Sequence, residues 1–281
     1  MKADLHMHST CSDWKYTPEE LMILARQNGV DTVSLTDHDT ISGTERARKT
    51  AEILGMRFVS GVEISTGKGG EIHVLGYGLD ENDPRLNGFL EKQRISREER
   101  IPKMLAKLDE LGIHLSRERI FARASGSIGR PHIAAEMVEM EYVRSTEEAF
   151  ELYLKRGAAA YVPREEVDTA EVISSICEWG GIPVLAHPGL IKENIETVKG
   201  SIVKWIDRGL MGLEVFYPAH RVCGYEPWLS FAKEHSLIIS GGSDFHTDHD
   251  KDKDHGSIAS VSDDWNSVEK DIENLILRRN I

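Results

Sequence analysis

Short runs of β-branched and apolar residues recur along the chain, and stretches with the helical spacing of apolar positions separate most of them. This alternation is typical of an α/β protein with parallel strands. We expect seven strands, at residues 2–6, 31–36, 57–62, 71–76, 182–186, 212–216 and 237–241. Helices near 18–28 and 40–54 connect the first three strands. The glycines at 67–70 predict a tight turn, because this segment lacks the Lys-Ser/Thr and helix start of a phosphate-binding loop.

The strand pattern disappears between about residue 84 and residue 165, where we expect helices at 84–111, 116–124, 131–142 and 145–155. Apolar residues in the first of these helices recur at helical spacing and should form a core: Ile101, Met104, Leu105, Leu108 and Leu111. A helix at 167–179 and the later strands resume the alternation, and an amphipathic helix is expected near 265–279. The prediction is a barrel formed by residues 1–97 and 165–281, with a helical insertion at 98–164 that caps the substrate site.

The composition of the 281-residue chain limits its class. With 40% hydrophobic residues, the chain can bury one large core, or one core and a small appendage. No apolar run is long enough to span a bilayer, and the N-terminus shows no signal-peptide pattern, so we expect a cytoplasmic protein. The three cysteines are far apart and odd in number, which argues against a disulfide framework and a Cys-x-x-Cys metal site. A bound metal would need imidazole and carboxylate ligands.

The charge of the chain argues against a general surface for duplex DNA. There are 34 Lys and Arg residues and 47 Asp and Glu residues, which gives a net charge of −13, whereas duplex-binding proteins usually present a basic face. Residues 92–130 differ, because they contain ten basic and five acidic residues and are locally +5. This segment is either a solvated helix face with ion pairs or a surface that attracts an anion. The sequence does not indicate an oligomeric state.

Histidine and carboxylate residues cluster at the ends of the expected strands. His6 and His8 lie two positions apart, so their side chains point to the same side of a strand. One such pair is more often polar surface, but similar residues follow the other strands, and functional groups of parallel barrels gather at the carboxyl ends of strands. Nine residues are candidate metal ligands: His6, His8, Asp13, His38, Glu63, His73, His187, Asp244 and His246. Because one ion needs three or four protein ligands, nine indicate two or three divalent ions.

Such a site would suit an anionic substrate. Three carboxylates cannot neutralise two or three divalent cations, so the site would keep a positive charge that stabilises negative charge on phosphoryl oxygens. Divalent metals also lower the pKa of water to about 7, which makes a nucleophile available at neutral pH. Phosphoester hydrolysis is therefore the predicted reaction class. Amide or amine hydrolysis at a binuclear centre remains open, because metal chemistry alone does not define the electrophile.

The arrangement of these motifs resembles the PHP (polymerase and histidinol phosphatase) family of metal-dependent phosphoesterases. The motifs are His6-x-His8, Thr36-Asp37-His38, Glu63, His73, His187-Pro188 and Ser243-Asp244-x-His246, in order along nearly the whole chain. The resemblance implies a distorted (β/α)7 barrel with a trinuclear site. It assigns one ion to His6, His8, Glu63 and Asp244. It assigns a second to Glu63, His73 and His187, and a third to Asp13, His38 and His246.

One position departs from part of this family. Many members of the histidinol-phosphatase type have histidine where this chain has Asp13. The departure disfavours histidinol phosphate as the substrate. It indicates a harder third site, which favours Mn²⁺, Fe²⁺ or Mg²⁺ over Zn²⁺. For the ions of the centre as a whole, Mn²⁺ is our first expectation, and Fe²⁺, Zn²⁺ and Mg²⁺ are alternatives.

The helical insertion, Gly129-Arg130-Pro131-His132 and Tyr217-Pro218-x-His220 are similar to a short bacterial branch of the family. This branch includes 3′,5′-nucleoside bisphosphate phosphatases and 5′-3′ exoribonucleases. The resemblance suggests that Arg130 and His132 bind a non-reacting phosphate, for which the alternative is an arginine paired with a nearby glutamate. His220 is a candidate to bind the scissile phosphate or to protonate the leaving oxygen. Asp37 is a candidate catalytic-site residue that, like Asp39, would orient an imidazole.

These inferences combine into one main hypothesis and two alternatives. The main hypothesis is a phosphohydrolase that removes the 3′-phosphate of nucleoside 3′,5′-bisphosphates and also acts on short 5′-phosphorylated oligoribonucleotides. The first alternative is a phosphatase for a small metabolite that is not a nucleotide. The second is a non-catalytic metal-binding module, as in some bacterial DNA polymerases, although the intact ligand set and the absence of a polymerase region argue against it.

Overall fold

A computed structural model describes residues 2–12, 15–67, 71–123, 127–245 and 256–261. Within these residues the chain forms a sheet of seven strands whose spatial order is their chain order. The strands are β1 Ala3–Asp4, β2 Thr32–Leu35, β3 Arg57–Thr66, β4 Ile72–Tyr77, β5 Ile182–Leu185, β6 Gly212–Phe216 and β7 Ile238–Gly241. Each of them overlaps a strand that the sequence predicts. The Leu5 amide donates to the Gly241 carbonyl at 3.3 Å, so the first and last strands nearly close the sheet into a barrel.

The strand β4 departs from the parallel arrangement that the sequence analysis expects. It pairs antiparallel with both β3 and β5, whereas the other neighbours pair parallel. The reason is the short connection between Thr66 and Ile72, because a parallel connection needs a crossover of about a dozen residues or more. Antiparallel pairing places the start of β4 beside the end of β3, and His73 lies opposite Ser65. His73 therefore reaches the same end of the barrel as residues that follow the parallel strands.

Helices cover the barrel and form the insertion. They are α1 Pro18–Gln27, α2 Thr44–Ile53, α3 Pro84–Glu110, α4 Arg117–Ala122, α5 Arg130–Glu139, α6 Thr146–Ala149, α7 Thr169–Glu178, α8 Ile195–Ile206, α9 His220–Cys223 and α10 Glu226–Glu234. A π-helical turn, Phe150–Leu154, continues α6, and a 3₁₀ turn spans Pro188–Leu190. The predicted helix at 265–279 lies outside the described residues. Among the described helices, none combines the length and apolar character that a membrane span needs.

The starts of α1 and α3 follow from their sequences. Thr17 and Glu20 form a capping box ahead of α1, in which the Thr17 hydroxyl accepts from the Glu20 amide and the Glu20 carboxylate accepts from the Thr17 amide. Asp83 caps α3 by accepting from the Arg85 amide. Proline occupies the first position of both helices, where its missing N–H costs no hydrogen bond.

The insertion has an apolar core of its own. Its buried residues all lie between Ile101 and Ala160, and they include Met104 and Leu108 from the predicted helical spacing. Leu111 is an exception, because it follows the last residue of α3 and is 49% exposed. Separate clusters fill the barrel and the space beneath α1 and α2. The helix α3 passes without interruption through the expected boundary at 97/98, so it belongs to both the barrel and the insertion.

Candidate metal centre

Seven of the nine candidate ligands come together at one end of the barrel. His6 and His8 follow β1, His38 follows β2, Glu63 and His73 lie on β3 and β4, and His187 and Asp244 follow β5 and β7. Glu63 lies at the centre, because five of the other candidates, all histidines, contact its carboxylate at 2.8–3.3 Å. Asp244 contacts one of these histidines, His8, at 3.1 Å. Asp13 and His246 lie outside the described residues.

The first group is formed by His6, His8, Glu63 and Asp244, which are all buried. His8 Nε2 lies 3.2 Å from Glu63 Oε2 and 3.1 Å from Asp244 Oδ1. His6 Nε2 lies 3.3 Å and 3.4 Å from the same two oxygens. One ligand atom from each residue thus lies within 4.8 Å of the others. Two imidazole nitrogens and two carboxylate oxygens that converge in this way fit a divalent cation.

Glu63 joins this group to a second set of imidazoles. Its Oε1 lies 2.8 Å from His73 Nδ1 and 3.0 Å from His187 Nε2, whereas its Oε2 lies 3.0 Å from His38 Nδ1. The His73 and His187 nitrogens are 3.3 Å apart. A carboxylate whose two oxygens contact different imidazole sets has the geometry of a bridging ligand. Glu63 could therefore serve as a ligand on both sides of its carboxylate.

The charges in this cluster are strongly coupled. Burial alone would lower the pKa of His8, but Asp244 and Glu63 raise it to about 10. Burial alone would raise the pKa of Glu63, but nearby imidazoles, His38 and His73 foremost, hold it well below its usual range. Glu63 is therefore ionised and needs a positive partner. A divalent cation can replace the imidazole protons in that role, which fits the donor set.

Two residues behind the cluster make contacts that the sequence did not predict. Glu214, which is fully buried on β6, accepts from His6 Nδ1 at 2.9 Å and from the His187 amide at 2.7 Å. The Tyr217 hydroxyl donates to Asp244 Oδ2 at 2.9 Å. The sequence does contain a signal for Glu214, because it is the single charged residue in the apolar strand Gly-Leu-Glu-Val-Phe. A buried carboxylate in such a strand requires a partner, and here the partners are candidate ligands.

Asp37 lies beside the cluster, and its hydrogen bonds fix the loop that follows His8. Its carboxylate accepts from the Ser9 amide at 2.6 Å, the Ser9 hydroxyl at 2.7 Å and the Ser12 hydroxyl at 2.7 Å. These bonds fix the segment that follows His8. The structure thus gives Asp37 a different set of partners from the imidazole contact that we expected, and it supports a positioning role through the loop.

Asp39 connects the site to the insertion. Its Oδ2 accepts from Arg97 Nε at 2.8 Å and from Arg164 Nη1 at 2.9 Å, and its Oδ1 accepts from the Ser65 amide at 3.1 Å. Burial would raise the pKa of Asp39, but the two guanidinium groups hold it well below its usual range. Arg164 also contacts Gln93 on α3. These bonds, rather than an imidazole contact, define the position of Asp39.

Arg130 begins α5 and is half-buried. Its Nη1 lies 3.3 Å from the Leu154 carbonyl, and its guanidinium carbon lies 5.4 Å from the centre of the Phe150 ring. Among the described residues no carboxylate forms a salt bridge with it, which disfavours the glutamate-paired alternative. His132 accepts from the Gly129 amide through Nδ1 at 3.1 Å, so the proton of a neutral His132 ring is on Nε2.

Arg130 belongs to a group of guanidinium groups that we call the arginine cluster, namely Arg97, Arg100, Arg130 and Arg164. Arg100 donates to the Val162 carbonyl at 2.6 Å and lies over the Tyr161 ring. Burial and the nearby Arg130 lower the pKa of Arg100 to about 10. Burial also lowers the pKa of Arg130 and of Arg164, and neighbouring members of the cluster add to the effect. The cluster therefore carries more positive charge than its contacts neutralise.

His220 does not fit the role that the sequence suggests. Its Nδ1 donates to the Val215 carbonyl at 2.8 Å, and its Nε2 accepts from the Gly189 amide at 3.0 Å. Burial lowers its pKa, so the ring is neutral at physiological pH. Both nitrogens are thus used within the protein, which leaves none for a scissile phosphate or for proton transfer to a leaving group. We correct this prediction, because the contacts of His220 are those of a structural residue.

Comparisons with known proteins show which family this chain is similar to. A family model of the PHP domain matches residues 4–160. A 5′-3′ exoribonuclease of Haemophilus influenzae is 35% identical over 87% of this chain and 90% of its own. A phosphoribosyl 1,2-cyclic phosphate 1,2-diphosphodiesterase of Eggerthella lenta is 31% identical over 88% of this chain and 94% of its own. A 3′,5′-nucleoside bisphosphate phosphatase of Chromobacterium violaceum is 30% identical over 98% of both chains.

The fold is also similar to solved structures. A Bifidobacterium adolescentis protein described as a metal-dependent phosphoesterase superposes with a TM-score of 0.87 and is 25% identical, covering 98% of this chain and 96% of its own. The similarity therefore extends over the barrel and the insertion together.

Proposed function

The chain belongs to the PHP family of metal-dependent phosphoesterases, and from that premise we propose that it removes the 3′-phosphate of nucleoside 3′,5′-bisphosphates. Short 5′-phosphorylated oligoribonucleotides are a second substrate in this proposal, because a relative with 35% identity is a 5′-3′ exoribonuclease. The observation that carries the choice of substrate is the arginine cluster, whose members Arg97 and Arg164 bind Asp39, the residue after the candidate ligand His38.

The proposed cofactors are two or three divalent cations, with Mn²⁺ first. His6, His8, Glu63 and Asp244 would hold one, and Glu63 would extend to another through His73 and His187. Asp13 and His246, with His38, are the proposed ligands of a third. Bound cations would polarise phosphoryl oxygens and lower the pKa of a water molecule. The chain itself would orient the ligands through the buried contacts behind them.

The arginine cluster is the proposed binding site for the phosphate that does not react. Asp39 forms salt bridges with Arg97 and Arg164, but among the described residues no carboxylate forms one with Arg100 or Arg130. Arg100 Nη2 is buried and makes no hydrogen bond within the described structure. A phosphate would supply the missing acceptor, because guanidinium groups bind its oxygens in a planar fork. Arg97 and Ser65 connect this position to β3 and so to Glu63.

The insertion would therefore select substrates with two phosphates. One phosphate would be held by Arg130, with His132 as a second donor, while the other reaches the metal centre. Asp37 would contribute indirectly, since it fixes the loop after His8. A substrate that lacks the second phosphate would lose the arginine contacts and keep the metal contacts.

The substitution Arg130→Ala tests this assignment. Charge-assisted hydrogen bonds contribute about 1.5–3 kcal/mol, which corresponds to an increase of about 10- to 150-fold in KM for adenosine 3′,5′-bisphosphate. The KM for p-nitrophenyl phosphate should stay unchanged. The matched control is Arg94→Ala, which removes an exposed arginine of α3 that pairs with Glu91. Equal losses on both substrates would remove the argument for selectivity.

The metal assignment has a separate test in Asp244→Ala. If Asp244 is a ligand, the variant should lose turnover on both substrates and bind fewer ions per chain by elemental analysis. Retained turnover with the full number of ions would refute the assignment.

A cyclic phosphodiester of a phosphorylated ribose is a second candidate substrate. The relative from Eggerthella lenta supports it, because its identity of 31% is close to that of the bisphosphate phosphatase. Rates on adenosine 3′,5′-bisphosphate, short 5′-phosphorylated RNA and phosphoribosyl 1,2-cyclic phosphate, measured on one preparation, separate the candidates. A clear preference for the cyclic substrate would replace the main proposal.

A further inference from the structure

Glu214 lies behind the candidate metal centre and has no role in the function proposed above. It lies on β6, its side chain is fully buried, and each of its carboxylate oxygens accepts one hydrogen bond. Oε1 lies 2.9 Å from His6 Nδ1, and Oε2 lies 2.7 Å from the amide nitrogen of His187. One side chain thus contacts two candidate ligands that are 181 positions apart (187 − 6) in the sequence.

The contact with His6 determines which nitrogen of that ring faces the cluster. A carboxylate only accepts hydrogen bonds, so Nδ1 must carry a proton. The other nitrogen, Nε2, lies 3.3 Å from Glu63 Oε2 and 3.4 Å from Asp244 Oδ1, where it can offer a lone pair to a cation. Histidine ligands commonly donate their second N–H to a carboxylate, which fixes the ring and makes the ligating nitrogen more basic.

The contact with His187 stabilises an unfavourable backbone conformation. His187 has φ 26° and ψ 60°, in the left-handed region that residues other than glycine rarely adopt. Such conformations cost on the order of 1–3 kcal/mol and persist when the surroundings fix them. The Glu214 carboxylate accepts from the amide of this same residue, so it holds the turn that directs the His187 ring toward Glu63.

We propose that Glu214 is a positioning residue that fixes the His6 tautomer and the His187 turn together, so that both imidazoles are arranged for metal binding. The inference rests on the proposed metal centre and adds to it a residue that touches neither metal nor substrate. A carboxylate is required because both partners are donors. Glutamine can accept at one position only, so it would present an NH₂ group to the other donor.

The substitution Glu214→Gln therefore preserves size and removes one acceptor. The expected result is an affinity for Mn²⁺ alone that is lower by about 10- to 100-fold, as is typical when a residue behind a metal ligand is changed. The control is Glu136→Gln, which alters another fully buried glutamate, paired with Arg119 and Arg123 in the insertion. It should lower thermal stability and leave the affinity for Mn²⁺ unchanged. A purely structural role for Glu214 would give the same result as this control and would overturn the proposal.

A second measurement does not depend on the variant folding. Nitrogen-15 NMR of the wild-type protein loaded with diamagnetic Zn²⁺ should show the His6 proton on Nδ1 and the metal on Nε2. A proton on Nε2 would overturn the proposal even if the variant cannot be purified. If the wild type binds no Mn²⁺ or Zn²⁺, the metal centre itself is refuted. If it binds both while Glu214→Gln binds equally well, only the role of Glu214 is refuted.

Discussion

The substitution Asp39→Asn should destabilise the protein strongly, because it removes the counter-ion of two guanidinium groups. Asp39 is completely buried, and the side chains of Arg97 and Arg164 are 14% and 4% exposed. Asparagine keeps one oxygen and replaces the other with an NH₂ group. In one orientation of the asparagine amide, the NH₂ group faces the two guanidinium groups, and in the other it faces the Ser65 amide. Both orientations place a donor against a donor.

Breaking a buried ion pair by removing one partner costs about 3–5 kcal/mol, because a charge is left without compensation. Proteins gain about 2.1 cal/mol/K of unfolding entropy per residue, which for 281 residues gives about 0.6 kcal/mol/K. The expected decrease in Tm is therefore about 5–8 °C. Differential scanning calorimetry at saturating Mn²⁺ measures it without interference from changes in metal content.

The matched control is Glu19→Gln, which removes the carboxylate of an exposed pair with Arg46. The two side chains are 40% and 47% exposed, and exposed pairs contribute about 0–1 kcal/mol. We expect its Tm to change by less than about 2 °C. If Asp39→Asn changes the Tm no more than this control, the network between the barrel and the insertion does not have the strength that its burial implies.

Three further predictions follow from the packing and the charges. In the folded protein the pKa of His8 is about 10, whereas its ordinary value is 6.5. Protonated His8 should therefore stabilise the metal-free protein fully below pH 6.5, and this stabilisation should be lost as the pH rises through 10. Affinity for Mn²⁺ should increase over the same range, and calorimetry that shows no proton release would contradict this. A Cβ on Gly242 would lie 2.3 Å from that of His6, so Gly242→Ala should reduce Mn²⁺ affinity and turnover, whereas Gly88→Ala, with open space around it, should leave both unchanged. Leu108→Ala should cost about 2–5 kcal/mol in urea unfolding through a cavity in the insertion core, and a loss below 1 kcal/mol would argue against a well-packed insertion.

The strands and the convergence of the imidazoles could be predicted from local patterns. Seven short runs of β-branched and apolar residues define the sheet, and the placement of His6 and His8 two positions apart predicts their common orientation toward Glu63. The antiparallel β4 could also have been derived, because the connection after Thr66 is too short for a crossover. The position of His73 at the cluster depends on that reversal.

Other features depend on contacts between distant parts of the chain. Arg164 reaches Asp39 across 125 positions, and Glu214 reaches His6 across 208, so no local pattern indicates either pair. For His220, by contrast, a local pattern exists but suggests the wrong role. A histidine shortly after a strand resembles a ligand, but a carbonyl five positions away and the Gly189 amide occupy its two nitrogens. Only the three-dimensional arrangement separates such a residue from the histidines that are candidate metal ligands.

The central claim is that bound divalent cations and this ligand set together hydrolyse a nucleotide phosphoester. The most direct measurement is phosphate release from adenosine 3′,5′-bisphosphate by protein stripped with a chelator and then titrated with Mn²⁺. We predict no activity in the stripped protein and a return of activity that saturates when two or three ions are bound per chain. Full activity in the stripped protein, or no phosphate release at any Mn²⁺ content, would contradict the account.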